Sequence, residues 1–451
     1  MNTQQRQCQL TRWQRGVRVL SLALGLLLGL SACAPTEESA AANTSGVADT
    51  KVYEWKMITT WPKNLPGLGA APERLAERLR IMSNGRLDIK VYGAGELVGA
   101  LEVFDAVSQG TAQMGHGAAY YWRGKNPAAA MFATVPFGMN AQEMNAWLYE
   151  GGGLELWQKA YDPLGVVPLP CGNTGVQMAG WFNKEINSLD DLQGLKIRMP
   201  GFGGEVLARA GATTVNLPGS EIFTSLQTGV IDASDWVSPY NDLAFGLYQA
   251  AKYYYYPGWQ EPCAVLELTV NKQKLAELPD DLRAIVIEAA RSTNQAMLDE
   301  YGRRNAEALH TLVNEHGVEL RRLPDAVLDR LRDISGDVLE ETAAMDPLNR
   351  EVWDSMQAFR ERILQDKLPL FTLLQVDPLQ IQAAHLSFQE YFAASAIVAE
   401  WCGGGGGGSG DSASVGEATA TTTKERPSIG ELLNLGAGTR PIEAFMDTRW
   451  Q

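Results

Sequence analysis

Histidine is scarce in this chain, with only four among 451 residues. The H-E-x-x-H sequence, which places two histidines and a general base around zinc, does not occur. The G-x-S-x-G nucleophile elbow is missing as well. These absences count against a zinc hydrolase and a serine esterase. Since no general base stands out, the sequence favours a binding protein over an enzyme.

Basic residues are also few, because 38 Lys and Arg face 53 Asp and Glu for a formal net charge of −15. Such a surface repels nucleic acid and anionic membranes, so we expect no nucleic-acid partner. An acidic protein that binds an anion must reverse the field locally. One arginine together with a bound cation would do so.

Long apolar runs are lacking too, and the run Val19–Leu30 is too short to span a bilayer comfortably. Arg12, Arg15 and Arg18 precede it, and it ends in Leu-Ser-Ala-Cys33, which resembles the lipobox of bacterial lipoproteins. We therefore predict that residues 1–32 are a lipoprotein signal peptide and that acylated Cys33 anchors the protein to a membrane. Ordinary secretion with an incidental cysteine is the alternative.

Composition divides the rest of the chain into further segments. They are a tether (33–51), a folded domain (52–365), a C-terminal helical extension (366–402), a flexible Gly/Ser/Thr linker (403–423) and a tail of unknown role (424–451).

The folded domain alternates strand and helix patterns until past residue 240. Tyr53, Trp55 and Met57 alternate with polar neighbours as in a strand, and a helix pattern follows Gly69. This rhythm predicts an α/β fold with largely parallel, doubly wound sheets, in which ligands bind beyond the carboxyl ends of strands. After Leu278 the pattern changes to long helices.

Chemistry-bearing residues concentrate between Cys171 and Cys263, near predicted loops or strand ends. Arg198 supplies a guanidinium, whose fork matches a carboxylate through two parallel bonds. Two carboxylates, an amide oxygen and a backbone carbonyl would form an oxygen-only nest for calcium or sodium. The segment therefore predicts a pocket for a small organic acid beside a metal ion.

Several strings in this region also resemble one family, the solute-binding subunits of tripartite ATP-independent periplasmic (TRAP) transporters. The similarity is greatest to the branch that binds 2-oxo monocarboxylates and related hydroxy acids, and it covers residues 52 to 365. The strings are Met114–Trp122, Asn173–Phe182, Asp235–Tyr240 and Tyr253–Gln260.

The resemblance implies a two-lobed periplasmic binding protein fold with a hinge and long C-terminal helices. It also implies the roles of individual residues. The expected substrate contacts are Asn173, Gln177, Arg198, Tyr120, Tyr121 and Trp236, and the expected metal ligands are Gln177, Asp235, the Trp236 carbonyl and Glu261. Asp235 stands where glutamate is expected in sodium-binding members. Two carboxylates and an anionic ligand favour a divalent ion, so we expect calcium ahead of sodium.

The resemblance further implies that the acid is delivered to separate TRAP membrane subunits, driven by an ion gradient. In this branch a C-terminal helix can be exchanged between the two protomers of a dimer. The amphipathic segment 378–401 is the candidate for a homodimer here.

Some alternatives remain open at this stage. The ligand could be a dicarboxylate or an amino acid, or the protein could be a metal-dependent lyase acting on oxo acids. His116 is favoured as a buried, hydrogen-bonded residue over a substrate donor. Cys171 and Cys263 could form a disulfide or remain two buried thiols.

Overall fold

The computed structural model describes residues 51–374, with side chains as far as Ile363. This part of the chain contains eleven β-strands in two sheets and twelve α-helices. The strands are β1 (Tyr53–Thr59), β2 (Leu87–Tyr92), β3 (Met114–Gly117), β4 (Val166–Asn173), β5 (Gly180–Phe182), β6 (Lys196–Arg198), β7 (Thr213–Val215), β8 (Ala233–Ser234), β9 (Tyr253–Tyr256), β10 (Val265–Asn271) and β11 (Glu319–Arg322). The helices are α1 (Ala70–Met82), α2 (Val103–Ser108), α3 (Ala129–Ala133), α4 (Ala141–Glu150), α5 (Gly153–Tyr161), α6 (Gly201–Arg209), α7 (Gly219–Gln227), α8 (Pro239–Ala244), α9 (Lys272–Ala276), α10 (Asp280–Asn314), α11 (Asp325–Ala343) and α12 (Pro347–Leu374). The predictions for Cys33, the signal peptide, the dimerising segment, the linker and the tail lie outside the described residues.

The first sheet has the strand order β2-β1-β3-β10-β4. In β1, Tyr53, Trp55 and Met57 are buried while the residues between them are exposed, as the alternation predicted. Leu75 and Leu79 from α1 join Leu282 and Val286 from α10 in a core on this sheet. The sheet and the helices that cover it form the first lobe.

The second sheet has the order β11-β9-β5-β8-β6-β7. Its strand β6 pairs in parallel with β7 and β8, and α6 follows β6 directly and packs against α11. The parallel pairing brings the carboxyl ends of β6 and β8 to one edge of the sheet. This sheet and its helices form the second lobe.

The chain crosses between the sheets three times: after β4, after β9, and after β10 through the long helix α10 that leads to β11. The first two crossings are short segments. The two crossing segments, residues 174–179 and 257–264, bond to each other through their backbones. Thr174 N donates to Ala264 O at 3.0 Å, and Gln177 N donates to Glu261 O at 3.1 Å. They form a two-stranded hinge between the lobes.

This double crossing corrects the expectation of largely parallel sheets. Strands β4 and β10 are antiparallel, and so are β5 and β9, because one crossing leaves the first lobe and the other returns to it. Five of the nine strand pairs in residues 51–374 are parallel.

The long late helices are confirmed as α10, α11 and α12, and α12 continues past the boundary expected at residue 365. Helix α10 packs on β4 in the first lobe and on α8 in the second. Its Tyr301 donates a hydrogen bond to Asn241 of α8. The helix therefore contacts both lobes and supports the hinge between them.

Candidate ligand-binding site

The predicted site residues meet where the hinge passes the carboxyl ends of β3, β6 and β8. Tyr121 follows β3, Arg198 is the last residue of β6, and Asp235 directly follows β8. Gln177 and Glu261 lie on the two crossing segments, joined by the backbone bond described above. The first lobe, the second lobe and the hinge each supply side chains to one buried site.

Arg198 is the cationic centre of this site, and only 1% of its surface is exposed. Its Nη1 donates to Asp235 Oδ1 at 2.7 Å and to the Asp235 carbonyl at 3.2 Å. Its Nε donates to Leu217 O at 3.3 Å, and its Nη2 to the Tyr121 hydroxyl at 3.5 Å. Burial alone would lower the pKa of Arg198, but Asp235 together with Tyr121 and Tyr120 outweighs it and the pKa is raised. The guanidinium stays charged.

Asp235 and Glu261 are two buried carboxyl groups that share this one guanidinium. Burial raises the pKa of Asp235 to about 6, against the opposing effect of Arg198. Burial and the neighbouring Asp235 raise the pKa of Glu261 well above its usual range. Both shifts have the same cause, which is negative charge held out of water with too little positive charge nearby.

Three side-chain oxygens at the site have no hydrogen-bond partner among residues 51–374. They are Gln177 Oε1, Asp235 Oδ2 and Glu261 Oε2. Buried oxygens of this kind are costly unless something binds them. All three were predicted as metal ligands, and the fourth, the Trp236 carbonyl, is next in sequence to Asp235. A set of hard oxygens with two carboxylates fits a calcium or sodium ion.

A glycine allows the two crossing segments to approach closely. Any Cβ at Gly258 would collide with the carbonyl oxygen of Gln177. A larger residue there would separate the segments and move the oxygens of Gln177 and Glu261 apart.

Aromatic side chains surround Arg198. The Tyr120 and Tyr121 rings meet edge to face at 4.8 Å, and the Trp236 ring lies 5.5 Å from the Arg198 guanidinium carbon. Trp122 instead donates to the buried carboxyl of Glu267 in the first lobe, away from Arg198. The Trp259 ring packs on the Phe137 ring, with 5.6 Å between the ring centres.

Asn173 uses its side chain to hold the start of the first crossing segment. Its Oδ1 accepts from Gly175 N at 2.9 Å, and its Nδ2 donates to Asn145 Oδ1 at 3.4 Å. These bonds are those of a turn asparagine. Its contact with the ligand stays a prediction.

His116 is buried and satisfied, as favoured from the sequence. Its Nδ1 accepts from Trp61 Nε1 at 2.9 Å, and its Nε2 lies 3.2 Å from the Cys171 carbonyl. Burial lowers the pKa of His116 to about 4, so the ring is neutral and Nε2 carries the proton that it donates.

Cys171 and Cys263 are two separate buried thiols, which decides between the two alternatives for this pair. Burial raises the pKa of both, so neither is a reactive thiolate.

Two residues with roles at the site were missed by the sequence reasoning. Trp61 follows β1, and its ring centre lies 6.1 Å from that of Tyr121 and 6.4 Å from that of Trp236. The expectation that ligands bind beyond the carboxyl ends of strands could have pointed to Trp61, because it follows β1 as Tyr121 follows β3. Asp242 accepts a bond from Val237 N behind the loop of Asp235, and no sequence signal distinguished it from a helix-start acid.

Comparison with known proteins decides the family. The profile of bacterial extracellular solute-binding protein family 7 (DctP) matches residues 57–346, which is more than half of the chain. The chain belongs to this family. A relative from Nostoc sp., named as a monocarboxylate 2-oxoacid-binding periplasmic protein, is 45% identical over 322 residues. The match covers 71% of this chain and 88% of the relative.

Solved TRAP periplasmic solute-binding proteins share the fold. The Pseudoalteromonas atlantica structure, with bound sodium and pyruvate, is 41% identical with a TM-score of 0.69 and covers 72% of this chain and all of that one. The Colwellia psychrerythraea structure, with bound calcium and pyruvate, is 42% identical with a TM-score of 0.68 and covers 71% of this chain and all of that one. The two-lobed periplasmic binding protein fold of this family 7 member is therefore confirmed.

Within the described part of this family 7 protein, no three His, Cys, Asp and Glu side chains gather as a metal site. A cation at the hinge would depend on the Gln177 amide and a carbonyl as well as on two carboxylates. Among residues 51–374, no helix combines the length and apolar character needed to cross a bilayer.

Proposed function

We propose that this protein binds a short 2-oxo or 2-hydroxy monocarboxylate, such as pyruvate or lactate, together with a calcium or sodium ion. The observation that carries the proposal is the set of three unpartnered oxygens around one buried arginine. The solved relatives with pyruvate and either cation support it. The lobes would close over the acid because both contribute contacts.

The acid's carboxylate would accept from Arg198 Nη2 and the Tyr121 hydroxyl. The other guanidinium nitrogens, Nε and Nη1, already donate to Leu217 and Asp235, whereas Nη2 has only a 3.5 Å contact to Tyr121. The sequence predicted that two nitrogens of the Arg198 guanidinium bind the carboxylate. We propose instead that one of these nitrogens and the Tyr121 hydroxyl bind it. Both donors come from different lobes, so the acid would bridge the cleft.

The cation would be held by Gln177 Oε1, Asp235 Oδ2, the Trp236 carbonyl and Glu261 Oε2. It supplies positive charge that draws the acid's oxygens and relieves the repulsion between the two carboxylates. With the acid bound, three negative charges face Arg198 alone. A divalent ion balances the remainder, so we favour calcium.

We infer that the protein is exported and anchored through Cys33, and that it delivers its acid to TRAP membrane subunits. The family description as extracellular, and the naming of the solved relatives as TRAP proteins, support the setting. Cleavage before Cys33 and a homodimer through residues 378–401 stay sequence-based parts of this proposal.

Binding measurements show which class of acid the site prefers. Equilibrium binding of pyruvate, lactate, succinate and glutamate, in excess calcium, should rank the two monocarboxylates tightest. Arg198→Ala should weaken pyruvate binding by at least ~100-fold, because a charge-assisted bond is lost and Asp235 is left buried without its cation. Arg209→Ala, which removes a partly exposed arginine of α6, is the matched control and should change it little.

Recovering the acid after incubation separates binding from turnover. Unaltered pyruvate supports the binding role, whereas a new product supports the lyase. Tighter binding of succinate or glutamate than of pyruvate would contradict the proposed ligand class.

A further inference from the structure

Asp242 lies in α8, seven residues after Asp235, and only 1% of its surface is exposed. Its carboxylate accepts three hydrogen bonds. Oδ2 accepts from Trp181 Nε1 at 3.0 Å and from the Tyr254 hydroxyl at 2.6 Å, while Oδ1 accepts from Val237 N at 3.2 Å. Both carboxylate oxygens are used, so Asp242 is not itself available as a cation ligand.

The three donors belong to two parts of the molecule with different tasks. Val237 follows Asp235 and Trp236 in the loop that carries two of the proposed cation ligands. Trp181 is in β5 and Tyr254 is in β9, the strands that continue the two hinge crossings into the second sheet. These two residues are register partners, and their rings stack at 4.0 Å.

A second bond ties the same loop to the hinge. Met178 N, in the first crossing segment, donates to Val237 O at 3.1 Å. Val237 is therefore held on both sides, by Met178 through its carbonyl and by Asp242 through its N–H. A shift of the loop on cation binding would therefore act directly on residues bonded to the crossing segments.

We propose that Asp242, with Tyr254 and Trp181, couples cation binding to closure of the hinge and so makes acid affinity depend on the cation. Asp242 is a positioning residue here, since it touches neither proposed ligand. The inference rests on the proposed ternary site of acid and cation. Partners behind a ligand set commonly change metal affinity by 10–100-fold when removed.

The coupling factor measures this role directly. It is the ratio of the pyruvate Kd without cation to the pyruvate Kd in saturating calcium. A residue needed only for stability lowers the melting temperature and leaves the ratio unchanged. A residue that transmits cation binding lowers the ratio.

Two variants probe Asp242 with different severity. Asp242→Asn keeps the shape but has one oxygen and one NH₂, so it cannot accept from all three donors. Tyr254→Phe removes a single donor and keeps the ring stacked on Trp181. Glu267→Gln is the matched control, because Glu267 is also a fully buried acid that accepts from an indole N–H, but it lies in the first lobe.

Calorimetry of pyruvate into chelator-treated protein, with and without calcium, should give a coupling factor about 10-fold smaller in Asp242→Asn than in the unmodified protein. Tyr254→Phe should lower it by a smaller factor, and Glu267→Gln should leave it unchanged. Unchanged coupling in both Asp242→Asn and Tyr254→Phe would overturn the inference while the ternary site stands. An unmodified protein with no calcium dependence would overturn the ternary site itself, and the inference with it.

Discussion

Trp61 is one of four side chains at the site that form a closed ring of contacts. Arg198 contacts Tyr121 at 3.5 Å, Tyr121 faces Trp61, Trp61 faces Trp236, and Trp236 returns to Arg198. Trp61 lies opposite the arginine in this ring of contacts. Its indole Nε1 donates a hydrogen bond to His116, which fixes the orientation of the indole. An acid whose carboxylate is on Arg198 would therefore direct its carbon chain towards Trp61.

Shortening this tryptophan should change which acids bind. In Trp61→Leu, we expect the affinity for 4-methyl-2-oxopentanoate relative to pyruvate to rise about 10-fold, because space for extra methylenes opens and each is worth about 1 kcal/mol or more. Competition binding with the two acids measures the ratio. Trp157→Leu, which truncates an equally buried tryptophan stacked on Phe132 in the first lobe, is the control. A ratio equal to that control would show that Trp61 does not limit chain length.

Single residues differed in how far the sequence could reveal them. Arg198, Asp235, Gln177 and Glu261 were predicted from their polar side chains near predicted loops and strand ends together with the family resemblance, which implied their individual roles, and the structure brings them together. Asn173 was predicted too, but whether its amide is spent on the backbone depends on a turn geometry that sequence does not give. Trp61 bonds to His116, and Asp242 accepts from Trp181 in addition to nearer donors; both of these bonds join residues more than 50 positions apart, which no local pattern reports.

At the scale of elements, the crossing segments determine the direction in which the strands next to the hinge run. Period-2 alternation gives the same sequence pattern in parallel and antiparallel strands, so the antiparallel pairs at the hinge were invisible in it. The helices were easier to predict, because their 3.6-residue periodicity is independent of neighbours. The long α10 could be located, but its contact with both lobes is a tertiary fact.

A salt bridge crosses the cleft between the lobes. Arg123 follows the Ala119–Trp122 turn of the first lobe, and its Nη2 lies 2.5 Å from Glu205 Oε2 in α6 of the second lobe. The same guanidinium covers the ring of Phe202 at 4.8 Å. Since the pair forms only when the lobes are together, it stabilises the closed form whatever ligand is bound.

Breaking this pair should weaken pyruvate binding modestly. Arg123→Gln is expected to raise the Kd about 2- to 5-fold, because partly exposed ion pairs contribute up to ~1 kcal/mol. The dissociation rate, measured by stopped flow, should carry most of the change. Glu341→Gln breaks the Arg209–Glu341 pair within the second lobe and should leave that rate alone. Equal dissociation rates in both variants would show that the Arg123–Glu205 pair does not hold the lobes closed.

For the whole molecule, the buried acid Glu267 links stability to pH. Burial raises the pKa of Glu267 to about 8, against the opposing bond from Trp122. The neutral carboxyl is therefore favoured in the folded state, and its contribution is complete below the unfolded pKa and lost as the pH rises through about 8. Glu267→Gln stays neutral at every pH.

The stability difference between this variant and the unmodified protein should consequently depend on pH. Relative to its value at pH 5, the unfolding free energy of Glu267→Gln should gain at least about 1 kcal/mol on the unmodified protein at pH 8.5. Urea unfolding at the two pH values measures it, and titration of other groups cancels in the difference. A difference that is constant with pH would contradict a buried neutral Glu267.

The protein as a whole is acidic, with a formal net charge of −15, and the site does not escape this excess of negative charge. Arg198 alone faces Asp235 and Glu261, so an acid anion enters a region that is already negative. A bound cation removes this obstacle, and the unpartnered oxygens are where it would bind. Acid binding and cation binding should therefore be linked.

Titration calorimetry of pyruvate into chelator-treated protein, repeated with calcium and with sodium, tests that link most directly. The account predicts affinity at least ~10-fold higher with calcium than in chelator, and loss of most of this gain in Asp235→Asn. A pyruvate affinity that is the same in chelator, sodium and calcium would contradict it.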